Sequence, residues 1–399
     1  MEDTKMNETM RGLGAKRSVI RELFEYGNKR KAEIGAENVF DFSLGNPSVP
    51  APDVVKNELI HLLEETSPVA LHGYTSAQGD PTVRRAIADY LNQTYGANAD
   101  PNLIYLTVGA AASLTVSLTA ILNPEDEVIL LAPFFPEYRV FVERTGARAV
   151  TVLSDLETFQ PDFAALEAAI NEKTRALIIN SPNNPTGAVL TEESIVRLTE
   201  LLNEKQKHFG APIYLISDEP YRELVYGDIK VPYLTKYYNN TLVCYSFSKS
   251  VSLPGERIGY ILVSSDAENR AALYEAVCGA GRALGFVCAP ALFQKLIPAC
   301  LGKTSDLSVY QTNRDLLLEA LTAYGFRVVS PDGAFYLFVK APEADATAFA
   351  ERAKGMELLL VPSDDFGCPG FVRISYCVST EQIKRSLPAF KHLAESYGL

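Results

Sequence analysis

The sequence predicts an α/β protein whose centre is a parallel sheet with crossover helices. Strand-length apolar stretches alternate with helical stretches through the middle of the chain, which is the order expected of parallel strands and the helices that join them. The later third has shorter apolar stretches, which are typical of a smaller α+β unit. With 399 residues the chain exceeds one ordinary hydrophobic core, so we expect one large and one small domain.

Seven apolar segments are the predicted strands of the large sheet. They are 103–108, 127–132, 148–153, 176–180, 212–217, 242–247 and 258–263. Helical patterns lie at 112–122, 162–171 and 191–209, and a long helical region follows from about 267 to 320. Thr191 is the predicted N-cap of the helix over 191–209, because a hydroxyl before two glutamates suits the first turn of a helix.

We assign both ends of the chain to the smaller domain. Its predicted strands are 326–329, 335–339, 358–361 and 371–376, with helices near 345–354 and 380–397. The N-terminal part contributes a predicted helix over 16–34 and a short strand over 40–44. The predicted division is therefore 1–50 in the small domain, 51–305 in the large domain and 306–399 in the small domain again.

Composition and charge exclude several classes of function. The formal net charge of −12 and the pI near 5.0 argue against nucleic acid or an anionic membrane surface as a partner. The six cysteines form no Cys-x-x-Cys pair and the four histidines lack metal-ligand spacing, so we expect reduced core cysteines and no metal. The apolar runs are strand-length and the first residues have no apolar signal region, so a cytoplasmic protein is expected.

The most informative stretch is Ser246-Phe247-Ser248-Lys249, followed eight residues later by Arg257. By itself the motif is weak, because most lysines are solvated surface charges and short motifs match by chance. Here, however, the amine follows a predicted strand and stands beside two hydroxyls and a guanidinium. That combination suits a cofactor that has both an aldehyde and a phosphate. The aldehyde needs an amine with which to form a Schiff base, and the phosphate needs groups that bind an anion.

Two further strand ends carry groups suited to such a ligand, which in open α/β sheets binds at the carboxyl ends of the strands. After 103–108, Gly109-Ala110-Ala111 opens a helix whose free N–H groups can bind an anion. After 127–132, Phe135 can stack on a planar ring. Taken singly, Gly109-Ala110-Ala111 would be a simple strand–helix turn, and Phe135 would be an aromatic residue packed in a loop.

Two more strand ends supply polar groups. After 176–180, a Pro- and Asn-rich turn holds Asn184 before a proline, and after 212–217 comes Asp218 with Tyr221 three residues on. A carboxylate at the end of an apolar strand is costly to bury unless it meets a cation, such as a protonated pyridine nitrogen. An isolated Asp218 would read as a helix N-cap. All five strand ends suit one ligand that has a ring and a phosphate. We therefore prefer one shared ligand site to five unrelated structural roles.

This ordered set resembles the fold-type I, class I/II aminotransferases that depend on pyridoxal 5′-phosphate (PLP), over essentially the whole chain. The motifs are Gly45-Asn46-Pro47, Tyr74 through Gly79, Gly109-Ala110-Ala111, Asn184-Pro185-Thr186-Gly187, Asp218 with Tyr221, Ser246-x-Ser248-Lys249 with Arg257, and Arg373-Ile374-Ser375. The resemblance implies a large PLP-binding domain with a mixed, mostly parallel seven-stranded sheet between helices, and a smaller α+β domain from both termini. It also implies a homodimer.

The resemblance assigns roles to the residues that match these motifs. Lys249 would form the Schiff base and then move protons, Asp218 would pair with the pyridine nitrogen, and Tyr221 and Asn184 would hydrogen-bond the ring oxygen O3′. The phosphate would be held by Ser246, Ser248, Arg257 and the N–H groups of Gly109, Ala110 and Ala111, and Tyr74 would reach the phosphate of the neighbouring subunit. Phe135 would stack on the ring. Arg373, with Asn184 and Gly45, would bind the substrate α-carboxylate.

The implied reaction moves the amino group of an L-amino acid, with aspartate as a candidate, to 2-oxoglutarate in a ping-pong mechanism. A PLP-dependent C–S lyase or decarboxylase remains the alternative, because those enzymes share the scaffold. No arginine identifies itself as a clamp for a side-chain carboxylate, although Arg139 and Arg282 are candidates. The acidic charge disfavours the DNA-binding regulators that resemble this family.

Overall fold

The computed structural model describes residues 6–15 and 18–399, and its strands fall close to the predicted segments. In chain order the strands are β1 (Phe40–Asp41), β2 (Ile104–Thr107), β3 (Glu127–Ala132), β4 (Arg148–Leu153), β5 (Thr174–Asn180), β6 (Tyr214–Asp218), β7 (Thr241–Ser246), β8 (Gly259–Val263), β9 (Arg327–Val328), β10 (Tyr336–Lys340), β11 (Leu358–Leu359), β12 (Val361–Pro362) and β13 (Phe371–Ser375).

The α-helices fill most of the intervals between these strands. They are α1 (Glu8–Ala15), α2 (Val19–Ile34), α3 (Asp53–Glu65), α4 (Pro68–His72), α5 (Pro81–Tyr95), α6 (Ala110–Ile121), α7 (Glu137–Glu143), α8 (Phe163–Ala169), α9 (Glu192–Phe209), α10 (Phe247–Ser250), α11 (Arg270–Leu284), α12 (Ala291–Cys300), α13 (Leu307–Ala323), α14 (Ala346–Lys354) and α15 (Thr380–Glu395).

The large sheet has seven strands in the order β2-β8-β7-β6-β5-β3-β4. Strand β8 is antiparallel to both of its neighbours, and the other pairs are parallel. The predicted α/β class with a mixed, mostly parallel sheet is therefore confirmed. Because parallel sheets are covered on both faces, their strands read as continuous apolar runs, which is why the sequence located them.

Helices pack on both faces of this sheet and bury successive residues of each strand on opposite sides. In β7, Leu242 and Cys244 belong to the apolar core that includes Leu114 of α6 and Val277 of α11. Val243, between them, belongs to a different core with residues of α5 and α12. This alternation follows from the two-residue period of a strand.

A second sheet contains the antiparallel strands β12-β13-β10-β9, and β1 pairs in parallel with β11. Phe40 lies opposite Leu358 in that short pair, so the N-terminal part of the chain is joined to its C-terminal part. The domain bounds at 50 and 305 stay a prediction. Helix α9 begins after Thr191, whose hydroxyl accepts from the Ser194 N–H at 3.1 Å, as the sequence predicted.

Several predicted elements differ from the structure. The strand predicted over 358–361 is divided into β11 and β12, which belong to different sheets. The region 267–320 is not one long helical stretch but α11, α12 and α13, because Gly285 adopts a left-handed φ of +76° and prolines follow it. The strand predicted over 40–44 has only two residues. The helix predicted over 16–34 begins at Val19, with Ser18 as its N-cap, while residues 16–17 lie outside the described part of the chain.

Helix α1 precedes that segment and was not predicted. No helix within 6–15 and 18–399 is long and apolar enough to cross a bilayer.

Candidate active site

A cavity of about 280 Å³ lies where the strands of the large sheet end and the smaller sheet approaches them. Most of the predicted site residues line it. They are Gly45, Ala110, Ala111, Phe135, Asn184, Asp218, Tyr221, Ser246, Ser248, Lys249, Arg257 and Arg373. Residues separated by more than 300 positions therefore meet at one site.

Lys249 lies in the short helix α10, directly after strand β7, with Ser246 as the N-cap. Its Nζ donates to the Gly45 carbonyl oxygen at 2.5 Å. Burial is the main reason that the pKa of Lys249 is lowered to about 8, and the nearby cations Arg373 and Arg257 lower it further. Removal of the amine from water is therefore the larger cause of the shift in pKa.

Asp218, the last residue of β6, has two carboxylate oxygens in different environments. Tyr138 donates to Oδ2 at 2.5 Å, whereas Oδ1 is buried and has no hydrogen-bond partner in the described chain. Burial raises the pKa of Asp218 to about 7, with a further rise from Glu219, although the hydrogen bond from Tyr138 opposes it. A cation with an N–H donor, such as a protonated ring nitrogen, would satisfy Oδ1 and stabilise the charge.

Sequence reasoning missed Tyr138 as a site residue, because an aromatic beside prolines reads as loop packing. The available signal was its spacing, since Tyr138 lies three residues after Phe135 at the start of α7 and so faces the same way. Tyr138 is fully buried, and its pKa is raised well above the usual value by burial and by Asp218.

A pair of aromatic hydroxyls, from Tyr221 and Tyr336, also belongs to residues that line the cavity. The Tyr221 and Tyr336 hydroxyls are 2.8 Å apart, and both residues are buried. Burial raises the pKa of Tyr336 to about 12, so this pair is neutral at physiological pH. Tyr336 was also missed from the sequence, where it reads as one apolar residue of strand β10.

The Ser246, Ser248 and Arg257 side chains form the predicted anion seat. The two serine hydroxyls are 2.6 Å apart, and Arg257 Nη1 lies 3.5 Å from Ser248 Oγ and donates to the Pro254 carbonyl at 2.8 Å. Gly109, at the start of α6, has a φ of +93°, and a Cβ there would lie only 2.6 Å from Arg257 Nη2. The glycine is therefore required for this close approach, which places the N-terminus of α6 and the Arg257 guanidinium where both could bind one anion.

Arg373 is a buried cation with no acidic partner among its hydrogen-bonded neighbours. The side chain is 2% exposed, which excludes a solvated surface arginine. Nη1 donates to Asn184 Oδ1 at 3.0 Å and Nη2 to the Ser43 carbonyl, whereas Nε has no partner in residues 6–15 and 18–399. Burial lowers the pKa of this guanidinium, so a carboxylate arriving in the cavity would relieve an unfavourable charge.

Three predicted or candidate residues lie elsewhere. Tyr74 is 98% exposed and outside the cavity of its own chain. Arg139 is held by Thr151 at 2.9 Å and by Glu143 at 3.7 Å, and Arg282 is exposed, so neither lines the cavity. Within the described residues, no group of His, Cys, Asp and Glu has the arrangement of a metal site.

Comparison with known proteins identifies the class to which this fold and site belong. The chain belongs to the class I and II aminotransferase family, whose model matches residues 37–390. It is accordingly an aminotransferase, and members of this family use PLP. The residues present fit that cofactor, because Asp218 Oδ1 has no donor in residues 6–15 and 18–399 and Gly109 lets the N-terminus of α6 lie close to the Arg257 guanidinium.

Three similar proteins show how far the likeness extends. An amino transferase from Eubacterium rectale, known from its crystal structure, is 57% identical with a TM-score of 0.97, covering 99% of this chain and 100% of that one. The Thermus thermophilus aspartate aminotransferase solved with maleate is 28% identical with a TM-score of 0.85, covering 96% and 98%. A probable aspartate/prephenate aminotransferase of Aquifex aeolicus is 32% identical over 380 residues, covering 90% and 91%.

Proposed function

We propose that this aminotransferase moves the amino group of an L-amino acid, with aspartate as the first donor to test, to 2-oxoglutarate in a ping-pong reaction, with PLP held on Lys249. The observation that carries the proposal is the meeting of three charged groups in one cavity: the buried Asp218 and Arg373 and the half-buried Lys249. Within residues 6–15 and 18–399, none of the three forms the ion pair that a purely structural charge would have.

PLP, when bound, supplies an aldehyde that condenses with amines and a ring that accepts electron density from a breaking Cα–H bond. Asp218 has the position and the free Oδ1 needed to keep the ring nitrogen protonated. Tyr138 holds the other oxygen of Asp218 and so fixes the direction of the carboxylate. Phe135 lines the same cavity and is the proposed stacking residue.

Lys249 is proposed to hold the cofactor and then to move a proton. With a pKa near 8 instead of the ordinary 10.5, a larger share of its amine is unprotonated and nucleophilic near neutral pH. The Gly45 carbonyl holds the amine at the cavity wall. Once released from the cofactor, that amine is a base whose pKa is close to the working pH, which favours proton transfer.

Fixed anchors orient the reacting bond. Ser246, Ser248, Arg257 and the N-terminus of α6 are proposed to hold the phosphate, with Tyr221 and Asn184 near the ring oxygen. Arg373 and Asn184 are proposed to hold the substrate α-carboxylate, since the Asn184 amide already contacts the guanidinium. Holding both ends of the reactant in this way supplies a large share of rate acceleration in enzymes.

The names of the relatives favour a dicarboxylic donor or acceptor, since they include aspartate aminotransferases and one was solved with maleate, a dicarboxylate. The cations that line the cavity in the described chain are Lys249, Arg257 and Arg373, and each already has a proposed role. A side-chain carboxylate would therefore need a cation from outside this lining. A homodimer would supply one, and the exposed Tyr74 is proposed to reach the partner's phosphate seat.

The test is to add a panel of L-amino acids to the purified PLP-loaded enzyme and to follow conversion of the yellow form to the pyridoxamine form. Aspartate should produce that conversion together with a stoichiometric 2-oxo acid, and 2-oxoglutarate should reverse it. Pyruvate with ammonia would indicate the C–S lyase, and carbon dioxide would indicate the decarboxylase. The cytoplasmic location stays a prediction from the sequence.

A further inference from the structure

Tyr336 is a buried residue of strand β10 that lines the active-site cavity and has no role in the function proposed above. Its hydroxyl lies 2.8 Å from that of Tyr221. Within residues 6–15 and 18–399, each of these hydroxyls has the other as its only hydrogen-bond partner. Two hydroxyls carry two protons, and one proton suffices for the bond between them. The pair therefore keeps one proton that no acceptor in the described chain takes.

The Tyr336 hydroxyl lies close to the groups that would hold the cofactor. A Cβ atom at Gly45 would overlap this hydroxyl, so the hydroxyl packs directly against Gly45. The Gly45 carbonyl oxygen accepts the hydrogen bond from Lys249 Nζ. Gly45, Tyr221 and Lys249 all line the same cavity. The hydroxyl pair is thus next to the backbone group that holds the Lys249 amine.

The Tyr336 ring is held by its neighbours, and this fixes the direction of its hydroxyl. The guanidinium carbon of Arg373 lies 4.8 Å from the centre of the ring, a distance at which a cation is attracted to an aromatic face. The Tyr221 ring makes an edge contact with it, with 5.7 Å between the ring centres. A phenylalanine at this position would keep both ring contacts and remove only the hydroxyl.

We propose that Tyr336 is a positioning residue that donates its hydroxyl proton to the Tyr221 hydroxyl and so leaves the Tyr221 proton for the ring oxygen O3′ of PLP. The inference rests on the proposed function, because it requires PLP to be joined to Lys249. A hydroxyl that accepts a hydrogen bond is a stronger donor, since the two bonds polarise each other. Tyr336 therefore acts on the cofactor through Tyr221 alone.

The test is a pH titration of the visible absorbance of PLP bound to the purified protein, which changes when the nitrogen that joins PLP to Lys249 loses its proton. A donor to O3′ withdraws electron density from the oxygen that shares this proton, so a weaker donor should raise the midpoint pH. We expect Tyr336→Phe to raise the midpoint by ~0.5 unit and Tyr221→Phe by ~1 unit or more. The double variant should match Tyr221→Phe, because the effect of Tyr336 passes through Tyr221.

Other titratable groups also face the hydroxyl pair. They are Arg373, Asp218 and Cys377. All three are unchanged in these variants, so a difference between two variants reports on the hydroxyls.

Tyr376→Phe is the matched control. Tyr376 is also buried, and its hydroxyl donates to a second tyrosine hydroxyl, that of Tyr226, at 3.1 Å, but neither residue lines the cavity. This variant should leave the midpoint unchanged. Tyr336→3-fluorotyrosine retains the hydroxyl but makes it more acidic, and it should move the midpoint to lower pH. It keeps the test valid if Tyr336→Phe misfolds.

The outcomes separate this inference from the proposed function. An unmoved midpoint in Tyr336→Phe, or additive shifts in the double variant, would overturn the inference while the absorbance of the parent still supports PLP on Lys249. An equal shift in Tyr376→Phe would also overturn it, because loosened packing would then be the cause. A parent protein without this absorbance after incubation with PLP would overturn the proposed function, and the inference with it.

Discussion

Tyr138 donates a hydrogen bond to one oxygen of Asp218 and leaves the other oxygen facing the cavity without a protein donor in the described chain. This relationship fixes the direction of the carboxylate while keeping one oxygen for a ligand. The hydrogen bond also favours the ionised form of an acid whose pKa burial has raised to about 7. We therefore propose that Tyr138 is a positioning residue, which would act on the cofactor through Asp218.

Tyr138→Phe should raise the pKa of Asp218 above about 7, because it removes the group that opposes the effect of burial. The acid side of the pH–rate profile of the loaded enzyme should then move to higher pH, and kcat should fall roughly tenfold, as for loss of one hydrogen bond to a charged group. Steady-state rates from pH 5 to 9 measure both. If the acid side of the pH–rate profile does not move, Tyr138 contributes only to packing.

Asp218→Asn should stabilise the cofactor-free protein at pH 8. The folded pKa of Asp218 is raised to about 7 from 3.8, so stability is highest below the unfolded pKa and is lost as the pH rises through about 7. We expect the variant to gain on the order of 2 kcal/mol in the free energy of unfolding at pH 8 and to be no more stable than the parent near pH 4. Urea unfolding at both pH values measures the difference. An equal effect at both would exclude the charge as its cause.

The covalent uptake of PLP by the cofactor-free protein should increase with pH, with a midpoint near 8, since only the unprotonated Lys249 amine reacts. Arg373→Gln should move that midpoint upward, because Arg373 is one of the cations that lower the pKa of Lys249. Stopped-flow absorbance across the pH range gives the midpoints.

Lys249→Ala should show no covalent uptake and no turnover, whereas Lys391→Ala, at an exposed lysine, is the matched control and should keep both. Full activity without Lys249 would reject the assignment.

Arg373→Lys keeps the charge but loses the fork that binds a carboxylate through two nitrogens. We expect KM for the amino donor to rise roughly 10- to 100-fold with a smaller change in kcat, as for loss of a bidentate charged hydrogen bond. The matched comparison is the amine that lacks the α-carboxylate, whose reaction should be unaffected. If KM for the amino acid does not change, the carboxylate is bound elsewhere in the cavity.

Tyr74→Phe tests the proposed contact between subunits. The side chain is 98% exposed within its own chain, so the substitution should leave the stability of the subunit unchanged. We expect the PLP concentration for half-reconstitution to rise about tenfold, because a phosphate would lose one hydrogen bond. Equilibrium titration of the cofactor-free protein measures it. Reconstitution identical to that of the parent would place Tyr74 outside the partner's site.

The amino-acid pattern by itself located the seven strands of the large sheet and the helices α6, α8 and α9, but it did not predict α3, α4, α5, α7 or α10. It also placed Lys249, Asp218, Asn184 and Arg257 at or near strand ends, whereas Arg373, inside a predicted strand, was assigned a role only by the family resemblance. Those inferences succeed because burial on both faces imposes a local apolar signal on each strand, and ligands of open α/β sheets bind where strands end. The breaks in 267–320 were missed because the apolar pattern resumes after each turn.

Only the tertiary structure brought together residues that are distant in the chain. Tyr138 and Asp218 are 80 positions apart and meet because strands β3 and β6 are separated by one strand, β5, in the sheet. The unpartnered oxygen of Asp218 and the unpartnered Nε of Arg373 are likewise visible only in the folded chain. Hydrogen-bond satisfaction and burial are properties of three-dimensional packing, so no local pattern of the sequence encodes which polar atoms remain free for a ligand.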